Sequence, residues 1–253
     1  MTHARWREIA LGAAGTLAFL AVWELAARAG PASALFPPPS RAVAEALTTL
    51  PLATVADHVA VSLGRIAAGF AAGAALGIAV AIAAGWYRTF GNLVRPVIEF
   101  LRPIPPLAWI PMAIVWFGLG EASKVFVIFL GAFFPVLTNA YRGITSVDPT
   151  LVRAAQTMDV TGIALLTRVM LPAALPDIAV GLRVGWGLSF GVLVAAELIA
   201  ADSGMGYMIM NARQTAEVGV IIFGILLIGL ATLATDWVLG VAIRRSVGRW
   251  HAV

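Results

Sequence analysis

Six long apolar stretches constrain this chain more than any other feature of its sequence. An α-helix needs about 20 mostly apolar residues to cross the hydrocarbon core of a bilayer. The 253 residues are 60% hydrophobic and 12% charged, whereas about a quarter of the residues in a soluble domain are charged. We therefore expect an all-α polytopic membrane protein, with about six transmembrane helices in a single domain spanning residues 1–253. The predicted spans cover residues 9–27, 59–84, 105–119, 125–141, 175–200 and 218–243.

The third of these stretches is interrupted by proline. It follows Pro103, Pro105 and Pro106 and contains Pro111. Proline removes a backbone donor and clashes with the preceding turn of a helix. We therefore expect the third span to be kinked or to begin late.

Basic residues determine the expected orientation, because loops retained in the cytoplasm carry the excess of Lys and Arg. With the amino terminus inside, eleven basic residues lie on the cytoplasmic side and four lie outside. The opposite orientation inverts this bias, so we expect both termini in the cytoplasm. The inside set is Arg5, Arg7, Arg88, Arg95, Arg102, Arg142, Arg153, Arg168, Arg244, Arg245 and Arg249, and the outside set is Arg28, Arg41, Lys124 and Arg213.

Several function classes are excluded by residue types that are missing or scattered. Cysteine is absent, and His3, His58 and His251 are too far apart in sequence to form a short metal-binding motif. No serine–histidine or acidic cluster is arranged for catalysis, so we predict no catalytic residue and no metal site. The net charge of +4 comes from thinly spread residues rather than a basic stripe, which argues against nucleic-acid binding.

The longest polar interruption on the expected inside covers residues 142–174. Asp148 followed by Pro149 is typical of an N-cap and a first helical residue. A helix is predicted next, with an interruption at 159–162 and a second short helix at 163–170. We expect these two helices to lie parallel to the bilayer, a shape suited to docking a soluble partner. An amphipathic loop without a partner is the alternative.

The same segment contains a recognisable order of residues. Arg153, Ala154 and Ala155 are followed by Gly162 and then by Leu171 and Pro172. This order resembles the EAA signature of the permease subunits of ATP-binding-cassette (ABC) importers. Arg153 stands where that signature usually has glutamate, and Asp159 stands where its glycine falls. Because aspartate tolerates the left-handed conformation better than most residues, we expect the turn to survive.

Other motifs extend the resemblance over most of the chain. They are similar to the nitrate, sulfonate and taurine branch of the ABC permeases. The motifs are Phe36-Pro37-Pro38-Pro39-Ser40, RPIPPLAWIP at 102–111, WFGLGE at 116–121, AAELIA at 195–200 and GMGY at 204–207.

The resemblance implies a type I ABC importer permease fold in the bacterial cytoplasmic (inner) membrane. Two copies of the chain would form the pore, two ABC ATPase subunits would dock on the cytoplasmic loop at 148–172, and a periplasmic or extracellular binding protein would deliver the substrate. Within that loop, the implied coupling residues are Arg153, Ala154, Ala155, Met158, Asp159, Gly162, Leu171 and Pro172. Pro172 and Pro176 are expected to fix a bend between this loop and the fifth span.

The same resemblance implies that the chain is not an enzyme. It would bind no cofactor, because ATP and Mg are used by the partner ATPase. The sequence itself lacks a phosphate-binding P-loop, and Lys124 is its only lysine. The expected cargo is a small anionic or zwitterionic solute, a sulfonate such as taurine. Nitrate, bicarbonate, an aromatic carboxylate or a vitamin precursor is the alternative cargo, and a stand-alone secondary transporter is the alternative class.

Ionisable residues within spans are candidates for the pathway or its gate, because each is costly without a partner. Arg65 and Glu197 fall at similar depths near the outer ends of the second and fifth spans, so we expect them to pair, either structurally or as a gate. Arg183 is expected to snorkel or to face the pathway. Phe190 is a further pathway candidate, with packing as the alternative.

Glycines at four-residue spacing predict close helix contacts, since helices in lipid associate by close approach of their backbones. Such spacing relates Gly69 to Gly73 and Gly77, Gly181 to Gly185, and Gly187 to Gly191. The sequence leaves open whether these contacts form within one protomer or between two.

Overall fold

The structure is a computed structural model that describes residues 2–29 and 36–247. Within those ranges every regular element is helical, which confirms the all-α prediction. Arg249, one of the residues used to predict the orientation, lies outside the described residues.

Eleven α-helices, one 3-10 helix and one π-helical segment are present in the described part of the chain. In order they are α1 (Thr2–Ala29), α2 (Pro39–Thr49), α3 (Leu52–Trp86), α4 (Arg88–Leu101), the 3-10 helix Pro106–Trp109, α5 (Ile110–Phe117), α6 (Glu121–Thr145), α7 (Pro149–Thr157), α8 (Gly162–Leu165), the π-helical segment Leu166–Met170, α9 (Leu171–Ala200), α10 (Met205–Gln214) and α11 (Val218–Val247).

Five helical segments in the described ranges are long and apolar enough to cross a membrane. They are Ala10–Ala29, Leu52–Trp86, Glu121–Thr145, Gly162–Ala200 and Val218–Arg245. In lipid, a helix satisfies its backbone hydrogen bonds internally, which is why such apolar segments are helical throughout.

The third predicted span is not a single helix over 105–119. Its residues form the second arm of a bent pair, in which Arg88–Leu101 and Pro106–Phe117 meet at 87°. The prolines between the arms prevent a continuous helix, and Gly118, with φ of 76°, ends the second arm. A kink was expected here, but the contribution of residues 88–101 was not. The pair makes a sixth span if both arms are counted as one.

Helix α6 lies at the centre of the bundle and packs closely against both α3 and α9. Gly69, Gly73 and Gly77 bring α3 against one side of α6. A Cβ atom on Gly73 would lie 2.6 Å from the carbonyl oxygen of Phe129, so only glycine permits this approach. These glycines therefore make contacts within one protomer.

The glycines of α9 divide between two faces. Gly181 and Gly185 pack on the opposite side of α6, where a Cβ atom on Gly181 would lie 2.9 Å from Cβ of Asn139. In the described structure nothing lies within 4 Å of a Cβ placed on Gly187 or Gly191. The latter pair therefore belongs to a face of α9 that the protomer itself leaves open.

The remaining helices form the periphery. Helix α11 packs against α2, α10 and α9, while α1 contacts mainly α2. Helix α1 is joined to α2 by Glu24, whose carboxylate accepts hydrogen bonds from the backbone N–H of Ser40 (3.1 Å) and from its hydroxyl (2.5 Å). The large apolar side chains of α1 are exposed, as expected of a helix surrounded by lipid.

Candidate functional site

A buried charge cluster lies where α3, α6 and α9 meet. The Arg65 guanidinium donates from Nη1 to Oε1 of Glu197 at 2.8 Å, and their side chains are 2% and 0% exposed. The hydroxyl of Ser62 also donates to this carboxylate, at 2.7 Å. The pairing of Arg65 with Glu197 that was predicted from their depth is therefore present.

A second carboxylate, which the sequence interpretation did not assign, completes the cluster. Glu121, the first residue of α6, accepts two hydrogen bonds from Arg65, from Nε and from Nη2, both at 2.6 Å. Lys124 donates to Glu121 at 3.1 Å and is itself buried. The positive charges of Arg65 and Lys124 are therefore balanced by the negative charges of Glu121 and Glu197. The sequence could have predicted this contact, because Glu121 begins a span at the same depth as Arg65 and Glu197.

The cluster also holds the start of α10. Backbone N–H groups in the first turn of a helix lack partners within the helix. Here the N–H of Gly206 donates to Glu197 at 2.8 Å, that of Met205 to the Ser62 hydroxyl at 2.9 Å, and that of Gly204 to Nδ1 of His58 at 3.1 Å. Side chains from α3 and α9 therefore fix the position of α10.

Gly204 is the residue that permits this arrangement. It has φ of 113°, and a Cβ atom there would lie 2.7 Å from Nη1 of Arg65. Arg65 also donates to Ser203, to the carbonyl oxygen at 2.6 Å and to the hydroxyl at 3.0 Å. Every nitrogen of the guanidinium has an acceptor, so the arginine is fully engaged in this conformation.

The other two pathway candidates lie on α9, nearer than Glu197 to the end that carries the α7 loop. Arg183 of α9 pairs with Asp236 of α11 at 2.7 Å, and both side chains are partly exposed. Phe190 is 3% exposed and packs edge-on against Trp186, with ring centroids 5.7 Å apart. In this conformation Phe190 is a packing residue, which was the alternative to a pathway role. The pairing of Arg183 with Asp236 was not predicted.

The loop at 148–172 begins as the sequence predicts. Asp148 caps α7 by accepting a hydrogen bond from the N–H of Thr150 at 2.7 Å, and Pro149 is the first helical residue. Asp159 adopts φ of 62°, so it takes the left-handed conformation expected of it, and Gly162 does so at 57°. Among the predicted coupling residues, Met158 is 78% exposed and Arg153 and Ala154 are also exposed, while Ala155 is half-buried.

The second half of the loop differs from the prediction. Residues 163–170 are helical, as predicted, in α8 and the π-helical segment, but they continue directly into α9, so they are not a separate short helix. Leu171 and Pro172 lie inside the segment Gly162–Ala200, so the helical run is not interrupted at Pro172, and the expected bend there stays a prediction. Pro172 directly follows the π-helical segment Leu166–Met170, where the hydrogen bonding of the helix is already irregular. The chain reverses only around Met158–Thr161.

Two clefts run along α6 towards the end of the bundle that carries α7. One of about 320 Å³ lies between α6, α9 and Arg102, and one of about 380 Å³ lies between α6, α3 and α4. Both clefts are lined by Arg102 and Thr138, so they adjoin. No group of three or more metal-binding side chains occurs within residues 2–29 and 36–247.

The bundle thus combines a bent third span with an exposed loop between the fourth and fifth spans. The chain belongs to the family described as binding-protein-dependent transport system inner membrane component, which it matches over residues 73–247. It is therefore a multi-pass membrane protein of the ABC permease family.

Relatives of known name extend the similarity over nearly the whole chain. The taurine transport system permease protein TauC of Escherichia coli is 40% identical, covering 98% of this chain and 93% of its own length. The putative aliphatic sulfonates transport permease protein SsuC of Bacillus subtilis is 37% identical over 86% of this chain and 79% of its own. The bicarbonate transport system permease protein CmpB of Synechococcus elongatus is 34% identical, covering 92% of this chain and 88% of its own length.

Proposed function

We propose that this chain is the transmembrane permease subunit of an ATP-driven importer for a sulfonate such as taurine. The observation that carries the proposal is the 40% identity to a taurine transport permease over 98% of the chain. The bicarbonate relative is more distant, so bicarbonate is the second candidate cargo. The chain itself is non-catalytic, and ATP and Mg are used by a separate ATPase.

The ATPase docks on α7 and the turn that follows it. Leu151, Met158 and Ile163 are 47%, 78% and 63% exposed, so this loop carries large apolar side chains that the protomer does not cover. Arg153 is exposed on the same helix as Leu151. An apolar helix face of this kind fits a groove on a soluble partner, with Arg153 in place of the usual glutamate requiring an acidic contact there.

A second copy of the chain covers the open face of α9. Val180, Val184 and Leu188 are about half exposed on this face, next to the uncovered Gly187 and Gly191. Because the chain has no cysteine, a single Leu188→Cys variant tests the homodimer directly. Oxidation in membranes is expected to yield a disulfide-linked dimer, while Leu25→Cys on the lipid-facing side of α1 remains monomeric.

The orientation follows from the distribution of basic residues. With both termini in the cytoplasm, the Arg65 cluster and α10 lie towards the outside, where a binding protein delivers the substrate. The α7 loop then lies inside, within reach of the ATPase. Labelling of single cysteines at residues 158 and 213 with a membrane-impermeant maleimide tests this placement, and only residue 213 is expected to react in intact cells.

Reconstitution tests the function as a whole. The chain is purified with its ATPase and placed in proteoliposomes with a binding protein carrying taurine or bicarbonate. We expect the taurine-loaded binding protein to stimulate both ATP hydrolysis and taurine uptake. Stimulation only by bicarbonate would change the cargo, and uptake by the chain alone without ATP would support the secondary-transporter alternative instead.

A further inference from the structure

Two guanidinium groups from neighbouring helices converge on Gly240 of α11. A Cβ atom on Gly240 would lie 3.5 Å from Nη1 of Arg244 and 3.9 Å from Nη2 of Arg183. Arg244 belongs to α11 and Arg183 to α9. Gly240 is buried, whereas both arginines are exposed. A larger residue at 240 would occupy the space where the two guanidiniums meet, so glycine permits their approach.

This cluster carries more positive than negative charge. The carboxylate of Asp236 accepts hydrogen bonds from Nε of Arg183 at 3.2 Å and from Nη2 at 2.7 Å. Arg244 adds a second positive charge, and no carboxylate within residues 2–29 and 36–247 forms an ion pair with it. Two like charges repel each other, and Asp236 offsets only one of them. An anion that contacts both guanidiniums is therefore favoured here.

The depth of the cluster matches a membrane surface. Asp236 lies about 27 Å along α11 from Val218, and Arg183 lies about 26 Å along α9 from Ala200, at 1.5 Å per residue. Since the hydrocarbon core is about 30 Å thick, both residues lie where the core meets the headgroups. In the orientation proposed above this surface is the cytoplasmic leaflet, which carries anionic lipids.

An exposed apolar stripe runs along α11 from the cluster towards the middle of the membrane. Leu230, Leu233 and Trp237 are 65%, 69% and 67% exposed. Together with Gly240 and Arg244 they follow the three- and four-residue spacing of a single helix face. A tryptophan at this depth is typical of the membrane interface. The stripe offers a surface for acyl chains, which a free anion would not use.

We propose that Arg183 and Arg244 bind the phosphate of an anionic phospholipid, such as phosphatidylglycerol, in the leaflet at the α7 end of the bundle. Phosphate oxygens accept charge-assisted hydrogen bonds from both guanidiniums, and the acyl chains lie along Leu230, Leu233 and Trp237. A zwitterionic lipid fits less well, because its own cation faces the surplus positive charge. The bound lipid links α9 to α11, and Arg183 acts at the membrane surface, as the snorkelling interpretation expects.

The first experiment measures lipid retention by native mass spectrometry. The permease–ATPase complex is released from micelles that contain equal amounts of phosphatidylglycerol and phosphatidylcholine. We expect phosphatidylglycerol to be retained at least about fivefold more often, the effect of one arginine near an anionic lipid. Inorganic phosphate, which has the same acceptor oxygens but no acyl chains, is expected not to displace it.

Three variants locate the site. Arg244→Gln is expected to lower phosphatidylglycerol retention about fivefold. Arg245→Gln is the matched control, because it removes the same charge from the same last turn of α11 but lies about 100° around the helix, and its retention should stay within about twofold. Asp236→Asn is expected to raise retention, since it removes the carboxylate that competes with the lipid for Arg183. Co-purification of the ATPase confirms that each variant is folded.

Equal retention of the two lipids, or equal losses in Arg244→Gln and Arg245→Gln, would overturn this inference and indicate diffuse attraction to anionic lipid. Lower retention in Asp236→Asn would also overturn it. Displacement by inorganic phosphate would mean that the cluster binds a free anion rather than a lipid. None of these outcomes bears on transport, which the reconstitution experiment measures separately.

Discussion

The two carboxylates that hold Arg65 should contribute very differently to stability. Glu197 is fully buried and accepts hydrogen bonds from Arg65, Ser62 and the N–H of Gly206. Glu121 holds Arg65 with two hydrogen bonds, but its side chain is 59% exposed. Breaking a buried ion pair costs about 3–5 kcal/mol, while an exposed pair contributes about 0–1 kcal/mol.

We therefore expect Glu197→Gln to destabilise the protein by about 3 kcal/mol, at the lower end of that range because Glu121 still holds Arg65. Glu121→Gln is expected to cost about 1 kcal/mol. At about 1.4 kcal/mol per tenfold, the two variants differ more than tenfold in their folded-to-unfolded ratio. Reversible unfolding in mixed micelles measures both. Equal losses, or a larger loss for Glu121→Gln, would refute the assignment of Glu197 as the main anchor.

Exchange of the two charges does not restore the cluster. In the Arg65→Glu, Glu197→Arg double variant, the new carboxylate at 65 faces Glu121. The new guanidinium at 197 faces the N–H of Gly206, and both of these are donors. We expect the double variant to be less stable than either single variant, which the same unfolding assay measures. Stability equal to that of the original protein would mean that the pair acts in isolation from its neighbours.

Three further outcomes are expected. Gly73→Leu should cost at least about 2 kcal/mol by overpacking the contact with α6, whereas Gly229→Ala in α11, with open space around it, should not lower the unfolding free energy, because alanine is the better helix former. Met158→Glu should abolish co-purification of the ATPase without lowering thermal stability, while Gln156→Glu on the same loop should retain the ATPase. Pro172→Ala should leave ATP-coupled uptake within about twofold of that of the unaltered protein, because the helical run already continues through this residue. A complete loss of coupling would instead support the expected bend at Pro172.

The sequence predicts the parts of this fold that depend on local composition. Apolar length alone identifies five spans, because a helix is the only local structure that satisfies its backbone in lipid. The start of α7 is predictable because Asp148 and Pro149 act on adjacent residues. The pairing of Arg65 with Glu197 could be predicted because counting residues from the ends of their spans places both at a similar depth.

Features that depend on which helices are neighbours could not be predicted in the same way. Glu121 joins the cluster only because α6 lies between α3 and α9. The contribution of residues 88–101 to the third span depends on the 87° bend between its two arms. The sequence interpretation expected both Pro172 and the prolines at 103–106 to disturb a helix, yet only the latter interrupt one, because the helical run continues through Pro172 by way of the π-helical segment before it.

The continuous helix Gly162–Ala200 is 39 residues long, or about 58 Å at 1.5 Å per residue. One end meets the α7 loop, and the other carries Glu197 and, through it, α10. Its longest α-helical part, α9, has 30 residues, or about 45 Å, and tilting a helix of that length as one body by about 10° displaces its far end by about 8 Å relative to its near end. A small rotation at the α7 loop would therefore move Glu197 and the start of α10, at the opposite end of the protein, by several ångströms.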